Sequence, residues 1–350
     1  MAISETVEPK SIERGTSKGR VSGPVIGIIV IVLAAAVGGA AYVAWPRGSP
    51  SVEYVSVDGS STVYPITASW AEDFNNPNRQ VTVAFSGTGG GFGKWCRGET
   101  DLSDASRPIR QSEIDVCTAN GITGILEFLV AYDGLSVLVD LDNTFAQNLT
   151  VRDLCRIWTS NTSAGACGGA GPQVNYWDEI DTSWSHEQIV LAGPGTDSGT
   201  YDYFVEEIVA PFDTDLRDDF LKSEDDNVLV SFVANEQYSL AFFGYAYVVE
   251  NLDKLRTLAI DDEDDANGVG PIAPSEQSIK DGSYAPLARP LFVYGHTTAP
   301  PNLRQSLARD VVKDFLRFGY SVPGQVLVGA TGYVGLTATE IATEVAEIPA

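Results

Sequence analysis

The sequence predicts an α/β protein of two lobes, each built on a mixed sheet, behind an apolar N-terminal segment. Strand-like runs alternate with helices that carry one apolar face, and 350 residues are more than one small domain needs. Three strand-like runs also end in a Gly/Ser/Thr loop just before a helix, which favours an anion because free amides and hydroxyls meet the positive end of the helix dipole. These loops are 59–62, 86–91 and 195–200.

The N-terminal region predicts a membrane-spanning segment or a secretory signal. Residues 24–45 contain no charged side chain and are long enough to cross a bilayer. The preceding residues 1–23 carry four basic side chains, which would remain cytoplasmic. An uncleaved anchor and a cleaved signal both fit this pattern. In either case residues 46–51 read as a linker, and the rest of the chain is expected at the cell surface or in the periplasm.

The cysteines predict two local disulfides. All four (Cys96, Cys117, Cys155 and Cys167) follow the apolar segment, where the setting is oxidising. Closure of the shortest loops pairs Cys96 with Cys117 and Cys155 with Cys167, while buried free thiols remain the alternative. A metal site is disfavoured because the chain has no Cys-x-x-Cys pair and only two histidines.

The charge balance narrows the class of partner. The formal net charge is −25, which argues against nucleic acid and against an anionic membrane surface. The acidic run at 261–265 is interpreted as solvated surface, with calcium binding as its alternative. An anion would approach this protein against its field, so short-range hydrogen-bond donors would have to supply the binding.

The order of apolar runs predicts how the chain divides between the lobes. Residues 52–127 and 245–350 are assigned to lobe I, and residues 128–244 to lobe II. In lobe I, the four-residue spacing of Ile66, Trp70 and Phe74 predicts a helix with one face on a sheet. A C-terminal helix over 302–319 is expected to complete the same lobe.

Four segments together resemble the phosphate-binding protein of the Pst-type ABC transporter family. The resemblance extends from about Val52 to Gly319. It implies a type II periplasmic binding protein with two lobes, a hinge and a ligand cleft. The segments that carry it are Asp58-Gly-Ser-Ser-Thr-Val-Tyr-Pro65, Ser86-Gly-Thr-Gly-Gly-Gly-Phe92, Asp101-Leu-Ser-Asp-Ala-Ser-Arg-Pro-Ile109 and Gly195-Thr-Asp-Ser-Gly-Thr-Tyr201.

The resemblance implies a set of ligand-binding residues. Ser61 and Thr62 match donors to one face of a phosphate ion, and Thr88 matches a hydroxyl donor in the second loop. The family's Ser-Gly-Thr falls on residues 198–200, where amides and hydroxyls cover the other face: Ser198, Gly199 and Thr200. A buried tetrahedral dianion needs many donors, which neutral dipoles supply without a large opposing charge. For the first loop, the alternative is that Ser60, Ser61 and Thr62 only cap the helix that follows.

Two departures from the family pattern concern charge. Ser106 stands where many members carry an aspartate that accepts a proton from the ligand, and Pro194 stands where members often carry an arginine. A subset of the family reads Ser-Arg-Pro, so Arg107 would supply the guanidinium; pairing with a carboxylate such as Asp104 is the alternative. Asp197, or else Asp104, would replace the proton acceptor.

The resemblance implies a receptor without enzymatic activity or cofactor. Such a protein binds inorganic phosphate as a monomer and presents it to the transmembrane subunits of an ABC permease. One alternative is a receptor or sensor for another tetrahedral oxyanion. Another is a phosphate-ester hydrolase with Ser198 or Ser61 as nucleophile, although the sequence has neither a Gly-x-Ser-x-Gly elbow nor a metal-binding motif.

Overall fold

The protein is described by a computed structural model that covers residues 52–196, 198–264, 266 and 268–350. The leader, the apolar segment and the linker predicted over residues 1–51 lie outside these residues. The strands are β1 (Glu53–Gly59), β2 (Arg79–Phe85), β3 (Leu102–Ala105), β4 (Thr123–Asp140), β5 (Asn148–Thr150), β6 (Val190–Pro194), β7 (Leu221–Ser223), β8 (Ser239–Gly244), β9 (Leu255–Thr257), β10 (Ala259–Asp261) and β11 (Ala288–Thr298).

Helices flank these strands on both faces. The α-helices are α1 (Tyr64–Phe74), α2 (Thr88–Trp95), α3 (Gln111–Ala119), α4 (Val151–Trp158), α5 (Ala166–Gly169), α6 (Gly199–Phe204), α7 (Asp226–Val233), α8 (Tyr245–Val249), α9 (Glu276–Lys280), α10 (Asp310–Gly319), α11 (Val322–Ala330) and α12 (Ala338–Glu347). A π-helical turn, Val205–Val209, continues α6. Within the described residues, none of the helices combines the length and the apolar character needed to cross a lipid bilayer.

The long strand β4 joins two groups of strands into one curled mixed sheet. The sheet has nine strands: eight follow the order β2-β1-β3-β11-β4-β8-β6-β7, and β9 pairs with β4 outside this path. Along Thr123–Gly134, β4 pairs with β11, and from Leu135 to Asp140 it pairs with β8 and β9. The two expected mixed sheets are therefore the two ends of this path, because β4 belongs to both. We call the β1–β2–β3–β11 end the first lobe and the β6–β7–β8 end the second; their residue bounds stay a prediction.

The first-lobe core forms where α1 and α10 pack together on the sheet. Ile66, Trp70 and Phe74 are all buried along one face of α1, which confirms the predicted stripe. The ring of Phe315 on α10 contacts Trp70 and Phe74 edge-on, with centroids 6.2 and 5.4 Å apart. Such edge-to-face pairs stabilise a core beyond the area they bury. This packing holds the N-terminus of α1, and with it the first loop, against the end of β1.

Three predicted helix starts are wrong. Residues 88–91 form the first turn of α2 and not a loop. This turn packs directly on Gly59, since a Cβ atom on Gly91 would lie 2.4 Å from the Gly59 Cα. Residues 199 and 200, predicted in the third loop, are the first residues of α6. The C-terminal helix begins at Asp310 and not at residue 302. Its N-cap Arg309 is extended, with φ −103° and ψ 126°, and its guanidinium donates to buried Asp101 at 2.9 Å.

The second-lobe core surrounds Trp158 at the end of α4. The Trp158 ring contacts Phe204, Phe220 and Phe242, with centroids 5.4, 5.1 and 5.0 Å apart. Because Phe204 lies on α6 and Phe242 on β8, this cluster fixes the helix that follows the third loop.

Both predicted disulfides are confirmed. Cys96 is bonded to Cys117, and Cys155 is bonded to Cys167. The first joins α2 to α3, so it holds the helix that follows the second loop, and the second closes the segment that follows α4.

We expect Trp158→Ala to lower the free energy of unfolding by about 3–5 kcal/mol, since it removes a fully buried aromatic side chain and leaves a cavity. Trp184→Ala is the matched control, because Trp184 is only partly buried at the rim of the same core. Urea denaturation of both variants would measure the difference. Equal losses of stability would contradict the central position of Trp158.

Candidate anion-binding site

In the structure, the first loop comprises residues 60–63, because β1 ends at Gly59 and α1 begins at Tyr64. The Ser60 amide donates to the Asp104 carbonyl at 2.9 Å, and the Ser60 Oγ accepts from the Thr62 amide at 3.2 Å. Gly59 must lack a side chain, because a Cβ there would lie 2.0 Å from the Asp104 oxygen. The loop is therefore pressed onto the end of β3, with Ser61 and Thr62 at its outer turn.

The hydroxyl groups of Ser61 and Thr62 bond to different parts of the molecule. Ser61 Oγ donates to Asp202 on α6 at 3.2 Å, and Thr62 Oγ1 accepts from Arg289 at 2.9 Å. Thr62 is buried and Ser61 is half-buried. Both groups thus take part in hydrogen bonds between distant parts of the chain.

The second loop and the end of β3 meet through a pair of hydroxyls. Thr88 is the first residue of α2; its Oγ1 lies 3.1 Å from Ser106 Oγ and accepts from the Ser106 amide at 3.2 Å. Ser86 donates to Asp58 at 2.5 Å, and Lys94 pairs with the same carboxylate at 2.6 Å. Thr88 and Ser106 are thus direct neighbours in the structure.

Arg107 is oriented by Glu113 on α3 and not by Asp104. Its Nη1 and Nη2 donate to the two carboxylate oxygens of Glu113 at 3.0 and 2.8 Å, and Nη1 also donates to the Pro108 carbonyl at 3.1 Å. The hydrogen bonds that Arg107 donates to Glu113 raise the pKa of Arg107, so the guanidinium stays charged. A Cβ on Gly89 would lie 3.8 Å from Arg107 Nη2, so the side chain lies beside the first turn of α2.

The third loop packs against the first. Ser198 caps α6, accepting from the Thr200 amide at 3.2 Å. A Cβ on Gly199 would lie 2.8 Å from the Thr62 Cα, so only glycine allows this approach. The proposed proton acceptor Asp197 lies outside the described residues.

A cavity of about 320 Å³ lies beside the first and third loops. Its lining includes Ser61, residues 198–200 and three carboxyl groups: Asp133, Glu224 and Asp226. Four of the predicted site residues are not among the residues that line it: Thr62, Thr88, Ser106 and Arg107. Burial, together with Asp225 and Glu224, raises the pKa of Asp226 to about 6. Among the described residues, no group of three or more His, Cys, Asp or Glu side chains is arranged to hold a metal ion.

Asp104 is a buried carboxyl directly beneath the first loop. Its Oδ2 accepts from Thr67 Oγ1 on α1 at 2.6 Å, while Oδ1 has no hydrogen-bond partner. Burial raises its pKa to about 7, against the opposing hydrogen bond from Thr67, and the Asp58 charge adds to the increase. Asp104 therefore bonds to α1, whereas the side chain of Arg107 bonds to Glu113 and Pro108.

Arg289 and Asp133 are site residues that the sequence reasoning missed. Arg289 belongs to no motif, and the sequence signal is a single basic residue just before the buried apolar run of β11. Asp133 lies between two apolar runs and likewise belongs to no motif. The two residues lie directly opposite each other on β11 and β4, and Arg289 Nε lies 3.3 Å from Asp133 Oδ2.

The fold and the loops place the chain in a known class of protein. The PBP superfamily domain matches residues 46–322, and the chain belongs to this superfamily of periplasmic binding proteins. The predicted two-lobed α/β fold and the family resemblance are thereby confirmed.

Relatives and solved structures agree with this assignment. Protein SphX of Synechocystis sp. PCC 6803 is 36% identical over 290 residues, which are 82% of this chain and 80% of SphX. The phosphate-binding protein PstS of Staphylococcus saprophyticus is 34% identical over 284 residues, 81% of this chain and 80% of PstS.

Among crystal structures, a possible phosphate binding protein from Planctomyces limnophilus superposes with a TM-score of 0.75 at 36% identity. It covers 86% of this chain and 100% of its own. An ABC-type phosphate transport receptor from Vibrio cholerae superposes with a TM-score of 0.56 at 20% identity. It covers 81% of this chain and 100% of its own, and it shows a shared fold.

The pKa of Asp104 predicts how stability depends on pH. The folded protein keeps this proton up to about pH 7, whereas an unfolded aspartate has a pKa near 3.8. The folded state therefore binds more protons between these values, and the free energy of unfolding falls as the pH rises through them. We expect Asp104→Asn to flatten this slope and to be more stable than wild type at pH 8, as measured by urea denaturation.

The control is Asp101→Asn. Asp101 is equally buried, but it accepts from Arg304 and Arg309 at 2.8 and 2.9 Å. Removing its charge leaves two cations without their partner, so this variant should be less stable than wild type at pH 8. A wild-type slope in Asp104→Asn would refute the assignment.

Proposed function

We propose that this protein is an extracytoplasmic receptor that binds inorganic phosphate between its lobes for an ABC-type importer. The observation that carries the proposal is the meeting of three Gly/Ser/Thr loops from both lobes, with Gly199 packed on Thr62. The names of the relatives support it, since PstS is a phosphate-binding protein and the Planctomyces structure is a possible one.

The donors would come from both lobes. From the first lobe we assign the hydroxyls of Ser61, Thr62, Thr88 and Ser106, together with the free amides that begin α1 and α2. From the second lobe we assign Ser198, Gly199 and Thr200, through the Ser and Thr hydroxyls and the loop amides. A tetrahedral dianion accepts many hydrogen bonds, and this set supplies them from neutral groups.

Arg107 would supply the positive charge. A guanidinium has five N–H donors in a fixed fork. Three contacts to Glu113 and Pro108 leave part of this fork for a ligand. Because Glu113 already fixes the side chain, little rotamer freedom would remain to be lost on binding. The Glu113 charge also offsets the cation, so selectivity would depend on hydrogen-bond geometry.

The ligand would have to compete with internal acceptors. Asp202 accepts a hydrogen bond from the Ser61 hydroxyl that we assign to the anion. Glu206 lies in the π-helical turn that continues the same helix. An incoming oxyanion would take this O–H from Asp202 as it enters. The acidic surface repels the ligand at longer range, so affinity would come from contacts within the closed cleft.

The remaining assignments follow from the proposed role. We propose that the protein acts without catalysis, as a monomer, and that the transmembrane subunits of a permease receive phosphate from it. The N-terminal segment would tether it to the membrane or direct its secretion. Because Ser106 stands where many family members carry an aspartate, a receptor or sensor for another tetrahedral oxyanion is the second candidate.

Calorimetric titration of the purified full chain with phosphate and with sulfate tests the ligand. We expect one phosphate per chain and much weaker binding of sulfate, since the cleft contains carboxylates that repel a fully ionised anion. Equal binding of both would favour the second candidate. Absence of binding heat with both anions would refute the proposed function.

Arg107→Ala should weaken phosphate binding about tenfold or more, because it removes a charged donor from the site. Arg110→Ala is the matched control, since Arg110 is an exposed arginine three residues away and should leave the affinity unchanged. The same titration measures both variants. An equal effect of the two substitutions would show a general charge effect and would exclude Arg107 as a ligand.

A further inference from the structure

Arg289 contacts parts of the chain that belong to both lobes. It lies near the start of β11, opposite the point on β4 where pairing passes from β11 to β8. Its side chain is only 11% exposed. A guanidinium in such a position must be compensated by nearby acceptors, because burial of an unpaired charge is costly. The identity of these acceptors indicates what the residue does.

One set of contacts joins Arg289 to the first loop and to the crossing strand. Nη2 donates to Thr62 Oγ1 at 2.9 Å, and Nε lies 3.3 Å from Asp133 Oδ2. Burial raises the pKa of Asp133, and the charge of Arg289 opposes this increase. The arginine therefore fixes the direction of a hydroxyl that we assign to the ligand. It does so from β11, opposite Asp133 on β4, the strand about which the lobes would rotate.

The other set joins Arg289 to the second lobe. The guanidinium carbon lies 3.5 Å above the centroid of the Tyr203 ring, and Nη1 lies 3.4 Å from Glu206 Oε2. Tyr203 lies on α6, the short helix that follows the third loop, and Glu206 lies in the π-helical turn that continues this helix. A cation over an aromatic ring is attracted more strongly when water is excluded, as it is here.

These contacts depend on how the lobes are arranged. Thr62 belongs to the first lobe, whereas Tyr203 and Glu206 belong to the second. Rotation about β4 that opens the cleft would withdraw the second set from the arginine, which is held by its pairing in β11. The Ser61–Asp202 hydrogen bond spans the same cleft, but it is open to water, as is Glu206, whose side chain is 64% exposed. The buried contact between Arg289 and Tyr203 therefore resists opening most.

We infer that Arg289 is a positioning residue that couples the Thr62 hydroxyl to closure of the two lobes. It orients the hydroxyl toward the ligand and holds α6 against the first loop, so that the donors of both lobes face one anion. This inference rests on the proposed function, and it assigns to Arg289 no direct contact with the ligand.

The test compares full-chain wild type with Arg289→Met, which keeps the length of the side chain and removes the charge and the donors. Calorimetry measures the Kd for inorganic phosphate, and small-angle X-ray scattering measures the radius of gyration with and without saturating phosphate. We expect the Kd to rise about tenfold or more, since a charge-assisted hydrogen bond is lost from each lobe. We also expect a larger radius of gyration in both states.

Arg309→Met is the matched control. Arg309 is also partly buried and pairs with the buried Asp101, but it belongs wholly to the first lobe. We expect this variant to unfold more readily than wild type, with the wild-type Kd and radius of gyration. A purely structural role for Arg289 would give the same pattern in Arg289→Met, and that result would overturn the inference.

The double variant Arg289→Met/Asp133→Asn covers the case in which the single variant does not fold. Loss of the arginine alone leaves Asp133 buried without its cation, whereas the double variant removes both charges. We expect the double variant to fold, with weak phosphate binding and an enlarged radius of gyration. Wild-type values of either quantity would overturn the inference. If wild-type protein binds no phosphate, the proposed function is refuted instead. The radii of gyration measured without phosphate then still decide whether Arg289 holds the lobes together.

Discussion

The arrangement of this molecule depends on β4 pairing with two different sets of strands. Its first twelve residues pair with β11 and its last six with β8 and β9, so one strand is shared by both cores. Backbone hydrogen bonds along both halves keep the strand regular through the crossing. The lobes consequently share an axis, and the loops at the ends of β1, β3 and β6 can approach one another across a single cleft.

The cleft itself depends on three close backbone contacts that exclude side chains. Gly59 lies on the Asp104 backbone, Gly91 lies on Gly59, and Gly199 lies on Thr62. Each contact brings a loop to within van der Waals distance of the next, which larger residues would prevent. In the proposed site, the hydroxyls and amides would then converge without any need for long side chains. Charged residues contribute mainly by fixing positions, as Glu113 does for Arg107.

The sequence predicted those parts of the structure that are local along the chain. The α1 stripe, the loop positions and both disulfides are set by residues close in sequence, and the periodicity or spacing shows them. Contacts over long separations were not predictable in this way: Arg289 meets Asp133 from 156 residues away and Thr62 from 227. The Arg107–Glu113 pair was missed because a nearby aspartate offered an equally plausible partner, and only the fold shows that Asp104 is turned toward Thr67.

The Ser61–Asp202 hydrogen bond has a consequence for how occupancy can be read by another protein. It bridges the lobes through groups of this chain alone, so a closed arrangement without ligand retains part of the bonding across the cleft. The equilibrium between open and closed forms then shifts only by the difference in affinity that the ligand has for the two. Closure by itself would be an incomplete signal of loading, and a partner that must avoid empty receptors would need to sense the cleft loops as well as the distance between the lobes.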